Sequence, residues 1–353
     1  MSRPNASTVP ASPESASPDA HSSSPVVVLG GGEAGLALLD ALDQAGQAAK
    51  TLLIEPSSYH YDQLDWMRVA TEGLRKEETR STAAERVPQE TTWIQETVTE
   101  IDPDERVVTT DRGTVVAYEY LVVALGTTPH WDRVRGLKKH LGSQGICSVY
   151  GYGHAEQAWK MIQSFSGGRA LFTVPSTPHK GGIAPLTVLR RAESVWRKTG
   201  VYHQTELFFL TASPPTFAGE SYPEMIDRES QEENVHVYGG YDLIDVRPDR
   251  GEAVFSVAKG KSQSKDVLPY DLLHVVPPMR PAALLAESRL AVQSGPMRGY
   301  LHVDPDTLRH PQFKHIFGIG DALAIEGVKT GERARQQAST LVETLLQLLG
   351  KAE

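Results

Sequence analysis

Hydrophobic and polar residues divide most of the chain into alternating strand-like and helix-like segments. Short apolar runs, "VVVL" at 26–29 and "TLLI" at 51–54, flank a stretch whose leucines recur at helical spacing. "YEYLVVAL" at 118–125 and "RALFTV" at 169–174 are as continuously apolar as strands that are buried on both faces. "LTVLRRAESVWRK" at 186–198 follows as an amphipathic helix. Because strands and helices alternate, we expect an α/β fold built on parallel sheets.

A glycine-rich turn connects the first strand to the first helix. Gly30, Gly32 and Gly35 have the GxGxxG spacing. In such a turn the first glycine allows the tight bend, the second lets the backbone approach a pyrophosphate, and the third lets helix and strand pack closely. Glu55 ends the second strand, 20 residues beyond Gly35, where an acid accepts hydrogen bonds from a ribose. The pattern predicts a dinucleotide site, with a plain surface role for Glu55 as the alternative.

The overall composition excludes several classes of function. The 353 residues are 40% hydrophobic and 22% charged, which suits a globular protein with two or three cores. The formal charge is −9 and basic residues form no stripe, so we expect no nucleic-acid partner. The 12 histidines form no HExxH motif and no close pair with an acid, and no GxSxG occurs. Neither a metal site nor a serine hydrolase is therefore predicted.

A single cysteine limits the redox chemistry of the chain. Cys147 excludes an intramolecular disulfide, a CxxC pair and a cysteine-rich metal site. We interpret Cys147 as a small buried apolar residue, with a reactive thiol as the alternative.

The first 25 residues differ from the rest of the chain. They are rich in Ser, Pro and Ala and almost free of large apolar side chains, so we predict a disordered leader over 1–25. They contain no apolar core of signal-peptide length, and no run of about 18 apolar residues occurs anywhere. We therefore expect no transmembrane segment and a cytoplasmic location.

Several later segments resemble, in order, successive signatures of sulfide:quinone oxidoreductases, in particular the mitochondrial-type branch. The resemblance runs from about residue 26 to about residue 350 and rests on these segments: "EPSSYHYDQLDWM", "YEYLVVALGTTP", "EQAWKMIQSF", "TPHKGGIAP", "YDLLHVVPPMRP", "GYLHVDPDTLRH", "HIFGIGDALA" and "VKTGERARQQ". It implies two Rossmann-like dinucleotide-binding domains. The FAD-binding domain would be split across 26–135 and 296–353. The second domain, 136–295, would lack a glycine-rich NAD(P) turn, because "PSTPHKGG" follows its first strand.

The resemblance also implies FAD as the cofactor and a set of residues that contact it. Asp321 would hold the ribityl or pyrophosphate part of FAD, and the backbone of Val98 would face the adenine. Lys329 and Thr330, the predicted catalytic residues, would lie at the start of a helix beneath the flavin, where positive charge stabilises the reduced flavin. The predicted cofactor contacts are Gly30, Gly31, Gly32, Ala34, Gly35, Glu55, Val98, Gly126, Thr127, Gly320, Asp321 and Lys329.

The chain departs from this family at two positions. The family carries redox cysteines where this sequence has Gly181 and Ala322. With Cys147 at neither position, one subunit cannot run the relay in which sulfide attacks a disulfide and a thiolate then attacks the flavin. We interpret Gly181 and Gly182 as a remnant of a retained loop; alternatively, they open space on the sulfur-binding side of the flavin.

The carboxyl end leaves further alternatives open. Family members continue beyond the Lys-Thr helix with segments that complete a quinone site, whereas this sequence stops at Glu353, which puts quinone binding in doubt. The leucine-rich run "TLVETLLQLL" at 340–349 predicts core packing or a homodimer contact. The expected partners are a small-molecule electron donor and acceptor of unknown identity.

Three functions are consistent with the sequence. The first is an FAD-dependent oxidoreductase that has lost the cysteine relay and uses another electron donor. The second is a non-enzymatic flavin-binding partner or assembly protein. The third is sulfide oxidation by direct attack of sulfide on the flavin.

Overall fold

The computed structural model describes residues 21–213, 216–217, 220–221, 235–260, 262–327 and 329–350. The helices within these residues are α1 (Glu33–Gln44), α2 (Trp66–Glu72), α3 (Ala83–Arg86), α4 (Leu137–His140), α5 (Tyr152–Ser164), α6 (Ala184–Thr199), α7 (Ala283–Ala286) and α8 (Gly331–Leu349). The strands are β1 (His21–Leu29), β2 (Thr51–Ile54), β3 (Tyr59–Tyr61), β4 (Arg80–Thr82), β5 (Thr92–Ile94), β6 (Val98–Asp102), β7 (Val107–Thr110), β8 (Val115–Val123), β9 (Thr127–Pro129), β10 (Ile146–Cys147), β11 (Gly168–Val174), β12 (Thr205–Thr211), β13 (Thr216–Phe217), β14 (Glu220–Ser221), β15 (Val235–Gly239), β16 (Tyr241–Arg247), β17 (Glu252–Lys259), β18 (Ser262–Pro269), β19 (Leu272–Val275), β20 (Met279–Pro281) and β21 (Ile316–Gly318). Helices and parallel strands alternate, as the hydrophobic pattern predicts.

The first sheet has the order β5-β2-β1-β8-β7-β6, with β21 also paired to β8. Strands β5, β2, β1, β8 and β21 run parallel, whereas β6 and β7 are antiparallel additions. The first half of β8 pairs with β7 and its second half pairs with β21. Strands β7 and β8 therefore form an antiparallel hairpin. Helices α1 and α8 pack on this sheet, and the buried side of α8 presents Leu341, Leu345 and Leu349 to the same core.

The second sheet, β10-β19-β11-β12-β15, is parallel throughout. Successive residues of β11 point to opposite faces. Phe172 packs into the core that includes α5 and α6, and Leu171 packs into the core shared with the antiparallel sheet β16-β17-β18. Both domains are therefore Rossmann-like, and the second is covered by helices on one face and by a small sheet on the other.

The predicted leader is too long at its carboxyl end. Strand β1 begins at His21, and residues 21–24 continue its parallel ladder with 115–118 of β8. A strand ladder is made of backbone hydrogen bonds, so the polar serines at 22–24 join it although they do not read as a strand. Residues 1–20 lie outside the described residues.

The domain boundaries also differ from the predicted ones. Leu285 and Leu290 are fully buried in the core of the first domain, so the chain returns to that domain before residue 296. Val134 lies in a core of the second domain, ahead of the predicted start at 136. The chain passes between the two domains at β9 and again at β20, and these two strands pair with each other. Hydrophobic periodicity cannot reveal such a contact between distant segments. Within the described part of the chain, no helix is both long and apolar enough to span a bilayer.

Candidate functional site

Three loops from distant parts of the chain meet at one edge of the first sheet. Strands β1, β8 and β21 are parallel neighbours, so their carboxyl ends lie side by side. The Ala124 amide donates to the Leu29 carbonyl at 2.8 Å, and the Ile319 amide donates to the Val123 carbonyl at 3.1 Å. The predicted loops at 30–32, 126–127 and 320–321 directly follow these strands. This edge is where ligands bind in open α/β sheets.

The first glycine turn has the geometry that its spacing predicts. Gly30 has φ +103°, and a Cβ there would lie 2.7 Å from the Ala124 carbonyl oxygen. A Cβ on Gly35 would overlap the carbonyl oxygen of Gly30, so α1 can approach β1 only if this residue is glycine. Gly32, at the start of α1, would have no atom within 4 Å of an added Cβ. Gly30 and Gly35 therefore serve the fold, while Gly32 faces open space at a helix N-terminus, which suits an anion.

The carboxylate of Glu55 lies against the same turn. One of its oxygens accepts from the Gly31 amide and the other from the Ser57 amide, both at 2.7 Å. A Cβ on Gly31 would lie 2.8 Å from Glu55 Cγ, so only glycine lets the acid sit there. Val98 begins β6, close behind the end of β5, whose Ile94 carbonyl accepts from the Glu55 amide. Glu55 thus lies on the part of the sheet edge away from β21, whereas Val98 pairs with Thr110 of β7, at the other end of the strand order.

The other two loops complete this edge. Gly126 has φ +60°, with open space around it, and Thr127 is 4% exposed. The Thr127 hydroxyl has no hydrogen-bond partner among the described residues. Gly320 has φ +76° and touches α1, because its Cβ position is 2.7 Å from Ala34 Cβ. The Gly320 amide donates to Gln337 of α8 at 2.8 Å, so this helix also holds the third loop in place.

Charged groups gather where α8 begins. Lys329 is buried, and its Nζ donates to the Leu323 carbonyl at 2.9 Å. Burial lowers the pKa of Lys329 to about 8, against the opposing attraction of Asp321. Burial likewise raises the pKa of Asp321, while Lys180 and Lys329 pull it down. The hydroxyl of Thr330, the N-cap residue of α8, accepts from the Arg333 amide at 3.3 Å.

Three residues that sequence reasoning missed lie in this part of the molecule. The ring of Tyr300 lies beneath Lys329 Nζ, 5.0 Å from it, and its hydroxyl is buried without a partner among the described residues. Lys180 Nζ donates to Gln63 Oε1 at 3.0 Å and interacts electrostatically with Asp321. These residues come from three separate segments, and nothing in their local patterns signals the contact.

These features fit a bound FAD. The open space at Gly32 and the positive end of α1 suit a pyrophosphate. The unpartnered hydroxyls of Thr127 and Tyr300 are polar atoms that a bound ligand can satisfy. Glu55 accepts one hydrogen bond on each carboxylate oxygen and keeps further acceptor capacity for a ribose. The described residues include no group of three or more His, Cys, Asp or Glu side chains that could hold a metal ion.

The two positions of the predicted cysteine replacements lie near this charged group. Gly181 has φ +82°, and its amide donates to the Lys329 carbonyl at 2.9 Å. Ala322 is fully buried in the turn that follows Asp321. Cys147 is elsewhere: it is 1% exposed in β10, within a core of the second domain, and burial raises the pKa of its thiol to about 12. This environment agrees with the interpretation of Cys147 as a buried apolar residue.

Comparison with known proteins adds two kinds of similarity. The pyridine nucleotide-disulphide oxidoreductase family matches residues 24–158. The mitochondrial sulfide:quinone oxidoreductase of Dictyostelium discoideum is 33% identical, over 91% of this chain and 70% of that protein. The mitochondrial enzyme of the same name from Mus musculus is also 33% identical, with the same coverage of both chains.

Two solved structures share the fold. The sulfide:quinone oxidoreductase from Aquifex aeolicus aligns with a TM-score of 0.79 and 22% identity, covering 94% of this chain and 77% of that one. A chain of the Tetrahymena thermophila mitochondrial ATP synthase aligns with a TM-score of 0.78 and 20% identity, covering 94% of this chain and 80% of that one.

Proposed function

The chain belongs to the sulfide:quinone oxidoreductase family of flavoproteins, and on that premise we propose that it is an FAD-dependent oxidoreductase without a cysteine relay. The proposal rests on two observations taken together: all three loops of a dinucleotide site are present, and the cysteine lies away from them. The loops at 30–32, 126–127 and 320–321 share one sheet edge. The only thiol, Cys147, is buried in the other domain. Without a nearby thiol, the residues of this edge would bring the electron donor directly to a bound flavin.

Different residues at this edge of the first sheet would hold different parts of FAD. The turn at Gly32 and the N-terminus of α1 would take the pyrophosphate, and Glu55 would accept from the ribose. Asp321 would contact the ribityl or pyrophosphate part. Bound FAD would accept two electrons from a donor and pass them to an acceptor.

Lys329 would supply the charge that this chemistry needs. Lys329 is buried beside Asp321 at the start of α8, and its Nζ donates one hydrogen bond to the Leu323 carbonyl. An ammonium group carries three protons, so two remain for a ligand. Its positive charge and that of the α8 N-terminus would stabilise negative charge on a reduced flavin, and Thr330 would hold the first turn of the helix in place.

A second candidate is a flavin-binding subunit without turnover. It is suggested by the fold that this chain shares with a chain of the Tetrahymena thermophila mitochondrial ATP synthase, whose structure is a composite tetramer model. A third candidate, direct attack of sulfide on the flavin, needs no cysteine and uses the same site.

Anaerobic titration of the purified protein tests all three candidates. We expect a yellow protein with non-covalent FAD whose absorption bleaches with at least one member of a panel of sulfide, thiols, NADH and NADPH. Bleaching by sulfide would select direct attack. A yellow protein that no donor reduces would favour the non-enzymatic subunit. A colourless protein that fails to take up added FAD would overturn the proposed function.

A further inference from the structure

We propose that an open pocket on the first domain binds a small organic anion, whose carboxylate or phosphate group accepts a hydrogen bond from His310. The pocket has a volume of about 500 Å³ and is lined by Arg289, His302 and residues 291–293 and 310–312. Pockets of this size hold small organic ligands in other proteins. The inference goes beyond the proposed function and does not depend on it, because the loops at 30–32, 126–127 and 320–321 do not line this pocket.

The pocket lies away from the candidate flavin site. Residues 310–315 lead into the amino-terminal end of β21, whereas the loops of the flavin edge follow the carboxyl ends of their strands. On the other side of the pocket, Ala291 pairs with Leu301, and the His302 amide donates to the Leu290 carbonyl at 2.9 Å. The pocket is therefore built on paired backbone of the first domain.

The backbone determines where the proton of His310 is. Its Nδ1 accepts from the Gln312 amide at 3.1 Å and from the Phe313 amide at 3.0 Å, so Nδ1 carries no proton. Burial lowers the pKa of this histidine to about 4, so the ring is neutral at physiological pH. The single proton of the neutral imidazole is then on Nε2. This tautomer makes Nε2 a hydrogen-bond donor and not a ligand for a metal ion.

The Nε2 atom of His310 lacks an acceptor. The residue is 2% exposed, and Nε2 is buried without a hydrogen-bond partner among the described residues. The Leu290 carbonyl acts on the ring, but its hydrogen bond comes from the His302 amide. The exposed His302 ring stands edge-on to that of His310, with centroids 5.9 Å apart, and its rotation would let a ligand reach Nε2. A buried donor without an acceptor is costly, and an accepting ligand would remove this cost.

The charges around His310 favour an anion over a cation. The charged groups of the described chain that act on its ring are His302, Lys314 and His315. All three are basic, and each lowers the pKa of His310, as a neighbouring positive charge does. An anion bound at Nε2 would therefore meet attraction from every side.

Arg289 and two apolar residues add to the pocket. The Arg289 guanidinium pairs with Asp104 of the β6–β7 turn at 2.5 Å and lies 5.1 Å from the ring centroid of Phe313. A guanidinium has five N–H donors, so this ion pair leaves donors for a ligand. Ala291 and Val292 provide apolar lining. A ligand with an anionic group and an apolar part therefore fits better than an inorganic ion.

Isothermal titration calorimetry of the FAD-loaded protein tests the proposal. The probes are benzoate and phenyl phosphate, which carry the two anionic groups, and benzyl alcohol, which carries none. His310→Asn removes the Nε2 proton but keeps an amide oxygen that can accept from the Gln312 and Phe313 amides. His302→Ala removes the neighbouring ring and leaves that turn unchanged. The control is His203→Asn, because His203 is an exposed histidine of the second domain.

We expect at least one of the two anions to bind. Its dissociation constant should rise about tenfold or more in His310→Asn, the loss expected for one hydrogen bond to a charged group. It should rise about threefold in His302→Ala and stay within about twofold in His203→Asn. Benzyl alcohol should bind too weakly to measure. The anion that binds more tightly shows whether the site prefers a carboxylate or a phosphate.

Several results would overturn the proposal. One is a wild type that binds neither anion. Another is unchanged affinity in His310→Asn whose folding is verified by urea denaturation; if that variant does not fold, unchanged affinity in His302→Ala is equally decisive. Release of FAD by the anion would place the anion in the cofactor site. Zinc binding that His310→Asn abolishes would make Nε2 a metal ligand.

Failure of the proposed function gives a different result. A colourless wild type that takes up no FAD but still binds the anion would refute the proposed function and support the anion site.

Discussion

At the scale of single residues, two glycines of the first turn separate the needs of the fold from those of the cofactor. We expect Gly35→Ala to lower the free energy of unfolding by about 3 kcal/mol or more, because its Cβ would overlap the Gly30 carbonyl oxygen. Gly32→Leu should cost about 1 kcal/mol or less, because no atom lies within 4 Å of its Cβ position, and yet abolish FAD binding. Urea denaturation and the ratio of flavin to protein measure the two effects. A Gly32→Leu protein that keeps its FAD would contradict this assignment.

Cys147 permits an equally direct prediction. Its thiol is 1% exposed and burial raises its pKa to about 12, so native protein at pH 8 should resist iodoacetamide, whereas protein in urea should be alkylated. Cys147→Ser should leave flavin reduction unchanged and lower stability by about 1–3 kcal/mol, because a hydroxyl would be buried in an apolar core. Cys147→Ala serves as the control without a buried polar group. Flavin reduction lost in both variants would make the thiol catalytic.

At the scale of elements, the loop between β11 and α6 decides whether a nicotinamide cofactor can bind the second domain. "PSTPHKGG" places Pro175 and Pro178 where a glycine-rich turn would present its amides to a pyrophosphate. We therefore expect NADH and NADPH to reduce the flavin slowly and without saturation. Stopped-flow absorption checks this, with dithionite as the control that the flavin is reducible. Fast saturable bleaching at micromolar NADH would show that this loop binds the nucleotide.

Strand β19 carries a buried histidine that should contribute to the loss of stability in acid, as should His310, whose pKa burial lowers to about 4. His274 is fully buried, neither ring nitrogen has a partner among the described residues, and burial lowers its pKa to about 3. The unfolded chain, with a histidine pKa near 6.5, binds more protons, so stability should fall as pH drops from about 6.5 toward 3, by up to about 1.4 kcal/mol per unit.

Replacement of this histidine should flatten that dependence. We expect His274→Leu to lose less stability than the wild type between pH 7.5 and 5.5 in urea denaturation. Phe172→Leu is the control, because Phe172 packs against His274 with ring centroids 5.5 Å apart and carries no titratable group. An unchanged slope in His274→Leu would show that the histidine does not contribute to the loss of stability in acid.

The elements also show how far sequence reasoning reaches. The spacing of Gly30, Gly32 and Gly35 predicts the turn that the structure shows. The GxGxxG pattern could be read from the sequence because it depends only on the local backbone path. The link between Lys180 and Lys329 could not be predicted, since it depends on how two domains meet. Tyr300 was missed for the same reason. In the sequence it is an ordinary aromatic residue, and only the fold places its ring beside Lys329 and buries its hydroxyl.

At the scale of the whole molecule, the two domains are joined at several places. Strand β9 pairs with β20, Lys180 bridges Lys329, and α2 sends Val69 into a core of the second domain. The apolar side of α8 is used against the first domain, which agrees with core packing. A homodimer stays a prediction. The cytoplasmic location also stays a prediction. The curated relatives, by contrast, are named as mitochondrial enzymes.

The backbone at the glycine pair has a consequence for any cysteine placed there. Gly181 and Gly182 have φ of +82° and +54°, a left-handed path that a cysteine adopts only with strain. We expect Gly181→Cys to lower the free energy of unfolding by about 1–2 kcal/mol in urea denaturation, and an equally stable variant would contradict this. A single Gly181→Cys change would therefore lose stability before a second cysteine at 322 could pair with it. The glycine pair thus opposes the stepwise introduction of a disulfide between positions 181 and 322.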